Sequence, residues 1–369
     1  MPRRLTSRPL VSLAATLLAL LALHPADAQS HGPGTVGDYV IKNFKFVSGQ
    51  SLPELRLHYR TLGQPRKDAS GVVRNAVLIM HGTTGSGDQF LSPVFASELF
   101  GVGQPLDTTK FYVVLPDGIG HGQSSRPSEG LHARFPHYGY DDMVDADRRL
   151  LVEKLGVTHL RIVMGTSMGG MHSWVWGERY PDFMDGIVPL ASAPTQIAGR
   201  NRMIRRMAMD DIMDDPEWKG GEYATQPRGL RAALQMLFIM SSAPLVQQHD
   251  APTRNAADSA IRRFLDTRAR TTDANDFLYA FDASRDYNPE PLLQRIKAPL
   301  LAINSADDQI NPPELGLIEH LMPRVARGSF VMLPITPETR GHGTHTVAKV
   351  WKSHFVEFLN SLPPLPLLH

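Results

Sequence analysis

The stretch VMGTSMGGMHSW, Val163 to Trp174, decides how the rest of the chain is read. An apolar run, LRIVMG, leads directly into it, and MGGMHSWVWGERY follows with the composition of a helix. Gly165-Thr166-Ser167-Met168-Gly169 is therefore a G-x-S-x-G frame at a strand-to-helix turn. Glycines suit the positions two residues either side of the serine, because so sharp a turn brings backbones too close for a Cβ. Such a turn lifts the Ser167 hydroxyl above a sheet, where an adjacent helix N-terminus favours developing negative charge. Ser167 is the candidate nucleophile.

The strands around this turn set the architecture. YVIKNFKFVSG and ELRLHYRTLG read as an antiparallel opening pair. NAVLIMHG, FYVVLPDG, LRIVMG, GIVPLAS, PLLAINS and SFVMLPI are compact apolar strands ending in turn residues. Helical patterns separate several of them. In DDMVDADRRLLVEKLG, acids open the helix, Gly156 closes it, and Met143, Val144, Leu150, Leu151 and Leu155 share a face. Buried strands alternating with helices predict an α/β fold with a mostly parallel sheet flanked on both faces. From 195 to 290 no buried strand is legible, only helical patterns such as NRMIRRMAMDDIM and LRAALQMLFIM. This segment is expected to be a helical cap inserted into a catalytic domain formed by 29–194 and 291–369.

A serine hydroxyl needs a base to take its proton, and the base needs an acid to orient it. In sheets of this kind the order is serine, acid, histidine, with both partners after later strands. PLLAINSADDQINPPE supplies Asp307 and Asp308, and SFVMLPITPETRGHGTH supplies His342 and His345. Asp308, four residues before Pro312, is the chosen acid, and Asp307 is expected to hydrogen-bond the turn. His342, between two glycines, is the chosen base, and His345 is expected to begin the final helix. The two histidines lie three residues apart, but no further cluster completes a metal site, so no metal is expected. The oxyanion donors are the N–H groups of Thr83, in the glycine-rich turn IMHGTTGSG, and of Met168.

The remaining features bound the function. The chain has 369 residues, 42% hydrophobic and 20% charged, with a formal charge of +1 and no long basic run. That balance gives no footprint for nucleic acid and points to a small-molecule partner, which with the serine site above is expected to be an acyl substrate. A homodimer is compatible with the sequence, and no organic cofactor is implied. DGIGHGQSS carries three glycines without the G-x-G-x-x-G register, which argues against a dinucleotide site. MPRRLTSRPL is basic, VSLAATLLALLALH is apolar but shorter than a membrane span, and ADA precedes Gln29. Residues 1–28 are read as a cleaved signal peptide, which predicts a periplasmic or secreted protein without a stable membrane anchor. With no cysteine, such a protein must rely on core burial for stability.

Taken together, these motifs resemble the α/β-hydrolase superfamily, and more closely its homoserine O-acetyltransferase branch. The block FPHYGYDDMVDADRRLLVEKLGVTHLRIVMGTSMGGMHSWVWGERYPD carries the likeness, with DPEWKGGEY in the cap and DDQINPPE at the acid loop. The resemblance implies the triad Ser167, Asp308 and His342, with Thr83 and Met168 as oxyanion donors. It also exposes departures. The family's histidine is typically followed by an aspartate that helps hold the substrate amine, and here Gly343 follows. Counting back from Asp215-Pro216, the arginine that would meet the substrate carboxylate falls on Met209; Arg205 and Arg206, one turn earlier, are the candidate replacements. Their plainer reading is a solvated basic face shared with Arg200 and Arg202. Met203, Met207, Met209 and Met213 recur at helical spacing, which predicts core packing with one or two lining an acyl pocket. The expectation is an exported esterase-like serine hydrolase working through an acyl-enzyme. Acyl transfer to a small alcohol is the alternative, and a silent binding protein is the reading from another class.

Overall fold

The computed structural model describes residues 34–366. The signal-peptide reading of residues 1–28 lies outside them.

Eight strands form one sheet in the order β1-β2-β4-β3-β5-β6-β7-β8. β1 (Thr35–Lys45) and β2 (Ser51–Leu62) are the expected antiparallel pair, and β2 joins β4 (Tyr112–Pro116) antiparallel as well. β3 (Ala76–Met80), β5 (Ile162–Thr166), β6 (Ile187–Leu190), β7 (Leu300–Ser305) and β8 (Gly328–Leu333) then run parallel to β4. All five residues of β3, β4 and β5 are buried, as strands covered on both faces must be. Alternate side chains enter two cores. Ala76, Leu78 and Met80 share one with Met143 and Trp174, while Val77 and Ile79 share the other with Phe95, Trp351 and Phe355.

Among the helices that supply those layers are α1 (Pro93–Leu99), α2 (Tyr140–Arg149) and α3 (Met168–Arg179), and the C-terminal helix brings Trp351 and Phe355. α2 opens with the Gly139 N–H donating to Asp142 at 2.9 Å and continues as one π turn through Leu150–Lys154. The chain leaves that turn at Gly156, whose φ of +66° disfavours any residue with a Cβ.

Between β6 and β7 the chain forms α4 (Gly199–Met213), α5 (Gly229–Ser241), α6 (Pro244–Asp250), α7 (Arg254–Ala269) and α8 (Ala274–Asp282). Polar links tie this helical unit to the base: Ser128 donates twice to Asp276, at 2.6 and 2.8 Å, and Arg268 donates to Thr84 at 2.9 Å. α9 (Leu317–Leu321) and α10 (Ala348–Ser361) complete the chain. Packing of α4 corrects the methionine expectation. Ile204, Arg205, Ala208, Met209 and Ile212 form its inward stripe, which leaves Met203 and Met207 on the outer face, 65% and 47% exposed.

Candidate active site

Ser167 stands between β5 and α3 with φ +56° and ψ −110°, a strained conformation for a residue with a side chain. The turn survives because its neighbours over-determine it. The Ser167 N–H donates to the Leu190 carbonyl at 2.9 Å, and Met171 N–H donates to the Ser167 carbonyl at 2.9 Å. Close packing explains the two glycines. A Cβ on Gly165 would lie 2.0 Å from the Gly169 carbonyl oxygen, and one on Gly169 would lie 2.0 Å from that of Met80.

Three side chains meet at this turn. Ser167 Oγ lies 2.7 Å from His342 Nε2, and His342 Nδ1 lies 2.8 Å from Asp308 Oδ2. Nδ1–H donates to the carboxylate, which leaves Nε2 free to accept the serine proton. Asp308 is 1% exposed, and burial alone would raise its carboxyl. The adjacent His342 and hydrogen bonds from Ile310 and Asn311 outweigh burial and hold it below its ordinary range.

The two residues set aside in the sequence occupy supporting places. Asp307 accepts from Ser305 Oγ at 2.5 Å and from the Gly341 N–H at 2.9 Å, so it ties the histidine loop to the end of β7. His345 precedes α10, which starts at Ala348, and its ring stands edge-on to His342 at 5.2 Å. Burial, then the neighbouring His342, push its pKa down to about 3, so it carries no charge near neutrality.

Thr83 and Ser167 line one cavity, and neither the Thr83 nor the Met168 N–H is engaged by another acceptor among the described residues. Both are placed to meet an oxyanion on Ser167. His81 was not singled out in the sequence, though its place in His81-Gly82 after a strand was a signal. Nδ1 donates to the Gly82 carbonyl at 2.8 Å and Nε2 accepts from Gly118 N–H at 2.9 Å, so the oxyanion loop is pinned to the loop after β4. Burial lowers its pKa to about 4, which keeps the ring neutral in this bridging role.

Two cavities open at Ser167. The larger, about 520 Å³, runs under the start of α4 toward α9, and the smaller, about 360 Å³, lies beside His342 and the oxyanion loop. Arg205 lines both. It is 3% exposed, donates to Asn201 at 3.0 Å and to Ser284 at 3.3 Å, and lies over the Phe281 ring at 5.2 Å. Arg268 lines the smaller cavity and donates to Thr84. Burial lowers the pKa of both guanidinium groups, and neither forms an ion pair among the described residues. Arg205 is therefore no part of a solvated face.

Arg206 and Met209 are placed elsewhere. Arg206 points outward from α4 and pairs with Asp210 at 2.6 Å, one turn along the exposed stripe. Met209 is on the inward stripe but sits one turn past Arg205, 3% exposed within the core and outside both cavities. No group of three or more metal-ligating side chains is gathered among the described residues.

Residues 75–325 match the model of the alpha/beta hydrolase fold family. A probable acyltransferase of Methanothermobacter thermautotrophicus is 29% identical over 76% of this chain and 85% of its own length. A homoserine O-acetyltransferase of Haloarcula marismortui is 32% identical over 69% of this chain and 66% of its own. Among solved structures, a homoserine O-acetyltransferase from Bacillus anthracis superimposes with a TM-score of 0.78 at 20% identity, covering 90% of this chain and 99% of that one. Esterase E22 does so with 0.77 at 21%, covering 88% and 99%. The chain belongs to the α/β-hydrolase superfamily, in its homoserine O-acetyltransferase-like branch.

Proposed function

We propose that this protein is a serine acyl-transfer enzyme that forms an acyl-enzyme on Ser167 and passes the acyl group to a small alcohol. The observation that carries the acyl-enzyme is the Ser167–His342–Asp308 relay beside two free N–H groups. In the first half-reaction Ser167 Oγ bonds to the acyl carbon and its proton moves to His342 Nε2. The bond from that carbon to the leaving group then breaks, and His342 returns the proton to the leaving atom. In the second half-reaction the acceptor hydroxyl gives its proton to His342, its oxygen bonds to the acyl carbon, and the bond to Ser167 breaks as His342 returns the proton to Ser167 Oγ. Thr83 and Met168 N–H hold the oxyanion in both.

The sequence reading favours hydrolysis because the expected amine and carboxylate partners of the acceptor fall on Gly343 and Met209, and because the expected export separates the protein from cytoplasmic acyl donors. Arg205 alters that balance. A buried cation paired only with neutral groups is costly unless a ligand anion completes it, and Arg205 and Arg268 both border the side of the site that holds His342. They suit an acceptor that carries a carboxylate, and the sequence relatives with acetyltransferase names support the same reading. Hydrolysis is the second reading, favoured by Gly343, which offers no side chain to hold an acceptor's amine. The test is product analysis with a p-nitrophenyl ester as donor, with and without millimolar homoserine. Acyl-homoserine formed faster than free acid supports transfer. Free acid at an acceptor-independent rate supports hydrolysis instead. Export is part of the same proposal: mature protein starting near Gln29 in a periplasmic fraction is the expected outcome, and an intact Met1–Ala28 segment in cytoplasm would contradict it.

A further inference from the structure

We propose that the acyl side of this site takes a saturated chain of about six to eight carbons, seated in the larger cavity. The inference rests on the acyl-enzyme reading above and adds to it the class of acyl group.

Sidedness comes first. His342 must protonate the leaving atom, so the leaving group lies on the His342 side, in the cavity lined by Gly82, Thr83 and His342. The acyl substituent leaves the tetrahedral carbon in another direction. The larger cavity contains Ser167 and Met171 but neither the oxyanion loop nor His342, which makes it the acyl side.

Size comes second. An acetyl group has three heavy atoms, and at about 30 Å³ for each water-sized unit it fills roughly 90 Å³. The cavity offers about 520 Å³, which seats an octanoyl group, roughly 270 Å³ for nine heavy atoms on the same scale, with space left at its open end.

The lining comes third. Met171, Ile197, Ile310, Pro312, Leu315 and Leu317 supply apolar surface from three separate segments. Two polar side chains in the same wall are bonded within the protein: Arg200 donates to the Gln309 carbonyl at 2.9 Å, and Asn311 donates to that of Ala191 at 3.0 Å, while the Arg205 guanidinium stands where this cavity meets the smaller one. Leu315 and Leu317, at the outer end, are 60% and 37% exposed. An apolar lip with uncovered leucines is what a chain reaching outward from Ser167 would cover.

The experiment measures kcat/KM for p-nitrophenyl acetate, butyrate, hexanoate and octanoate, with intact-mass detection of the Ser167 adduct. For the wild type, kcat/KM is expected to rise about tenfold or more from acetate to hexanoate, since each buried methylene is worth up to roughly fourfold. Ile197→Trp, which adds bulk to the cavity wall, should lower the octanoate-to-acetate ratio about tenfold. Leu317→Trp, a change at an exposed position that folding tolerates, should lower it less. Highest kcat/KM on acetate with a steady decline toward octanoate overturns the proposal while a Ser167 adduct keeps the acyl-enzyme reading. An unchanged chain-length ratio in both tryptophan variants also overturns it. If no ester of any length acylates Ser167, both readings fail together.

Discussion

The catalytic loops of the base and the cap treat the charges beside Ser167 differently. In the base, Asp308 has His342 Nδ1 and the Ile310 and Asn311 donors around it, and Asp307 is likewise bonded from both sides. In the cap, Arg205 and Arg268 are desolvated cations that find only neutral acceptors. A fully bonded network fixes geometry before substrate arrives, which acyl chemistry requires. An unpaired buried charge stores a cost that a ligand of opposite sign relieves. The chemistry is preorganised in the base, and selection is left to the cap.

The sharpest way to break that division is to remove the nucleophile. Ser167→Ala should lower kcat by about four orders of magnitude or more while leaving the melting temperature within a few degrees, because Ser167 is in the cavity wall and not in the core. Steady-state turnover and calorimetry check both halves. Asp308→Asn should cost about as much, roughly 10³- to 10⁴-fold, since the amide presents the wrong partner to Nδ1. His345→Asn should cost under about tenfold, because a ring already neutral and one step from Ser167 is not the base.

The comparison also shows how much of this was legible in the sequence. All eight strands, the Ser167 turn and the order of the acid and histidine loops could be read because each depends on local pattern: apolar runs, turn glycines and chain order. Arg205 could not be read correctly. In NRMIRRMAMDD it has the same local setting as Arg206, and only the way α4 is rolled against the base sends one into the site and the other to Asp210. Met209 shares the inward stripe with Arg205 but lies one turn further along α4, in the core and outside both cavities, a difference of position along the helix that the sequence does not mark. Asp307 bonding its own turn could be read from the sequence, but its second partner, Gly341, and the Gly118 N–H that His81 accepts from lie on distant loops, and such pairings leave no pattern in the local sequence.

The cap's charge can be tested without touching the chemistry. Arg205→Met should raise KM for a carboxylate-bearing acceptor about tenfold or more, since hydrogen bonds to charged groups contribute roughly 1.5–3 kcal/mol. The same change should leave the melting temperature equal or higher, because it removes an uncompensated buried cation. A lower melting temperature with unchanged KM would show Arg205 to be structural.

The smallest effect lies in the base. Burial, reinforced by Asp141, raises Glu178 to about 8. Its proton is held more tightly in the folded chain than in the unfolded one, where the pKa is about 4.3, so its contribution is complete below that value and is lost as pH rises through the folded one. Glu178→Gln should therefore raise the melting temperature at pH 9 relative to wild type, with a smaller difference at pH 5.

The most direct test of the central claim is intact-mass and peptide-level mass spectrometry of enzyme quenched during turnover of a p-nitrophenyl ester. The account predicts an acyl adduct on the peptide containing Ser167, lost in Ser167→Ala and accumulating in His342→Ala only to a trace. An adduct on another residue, or full turnover by Ser167→Ala, would contradict it.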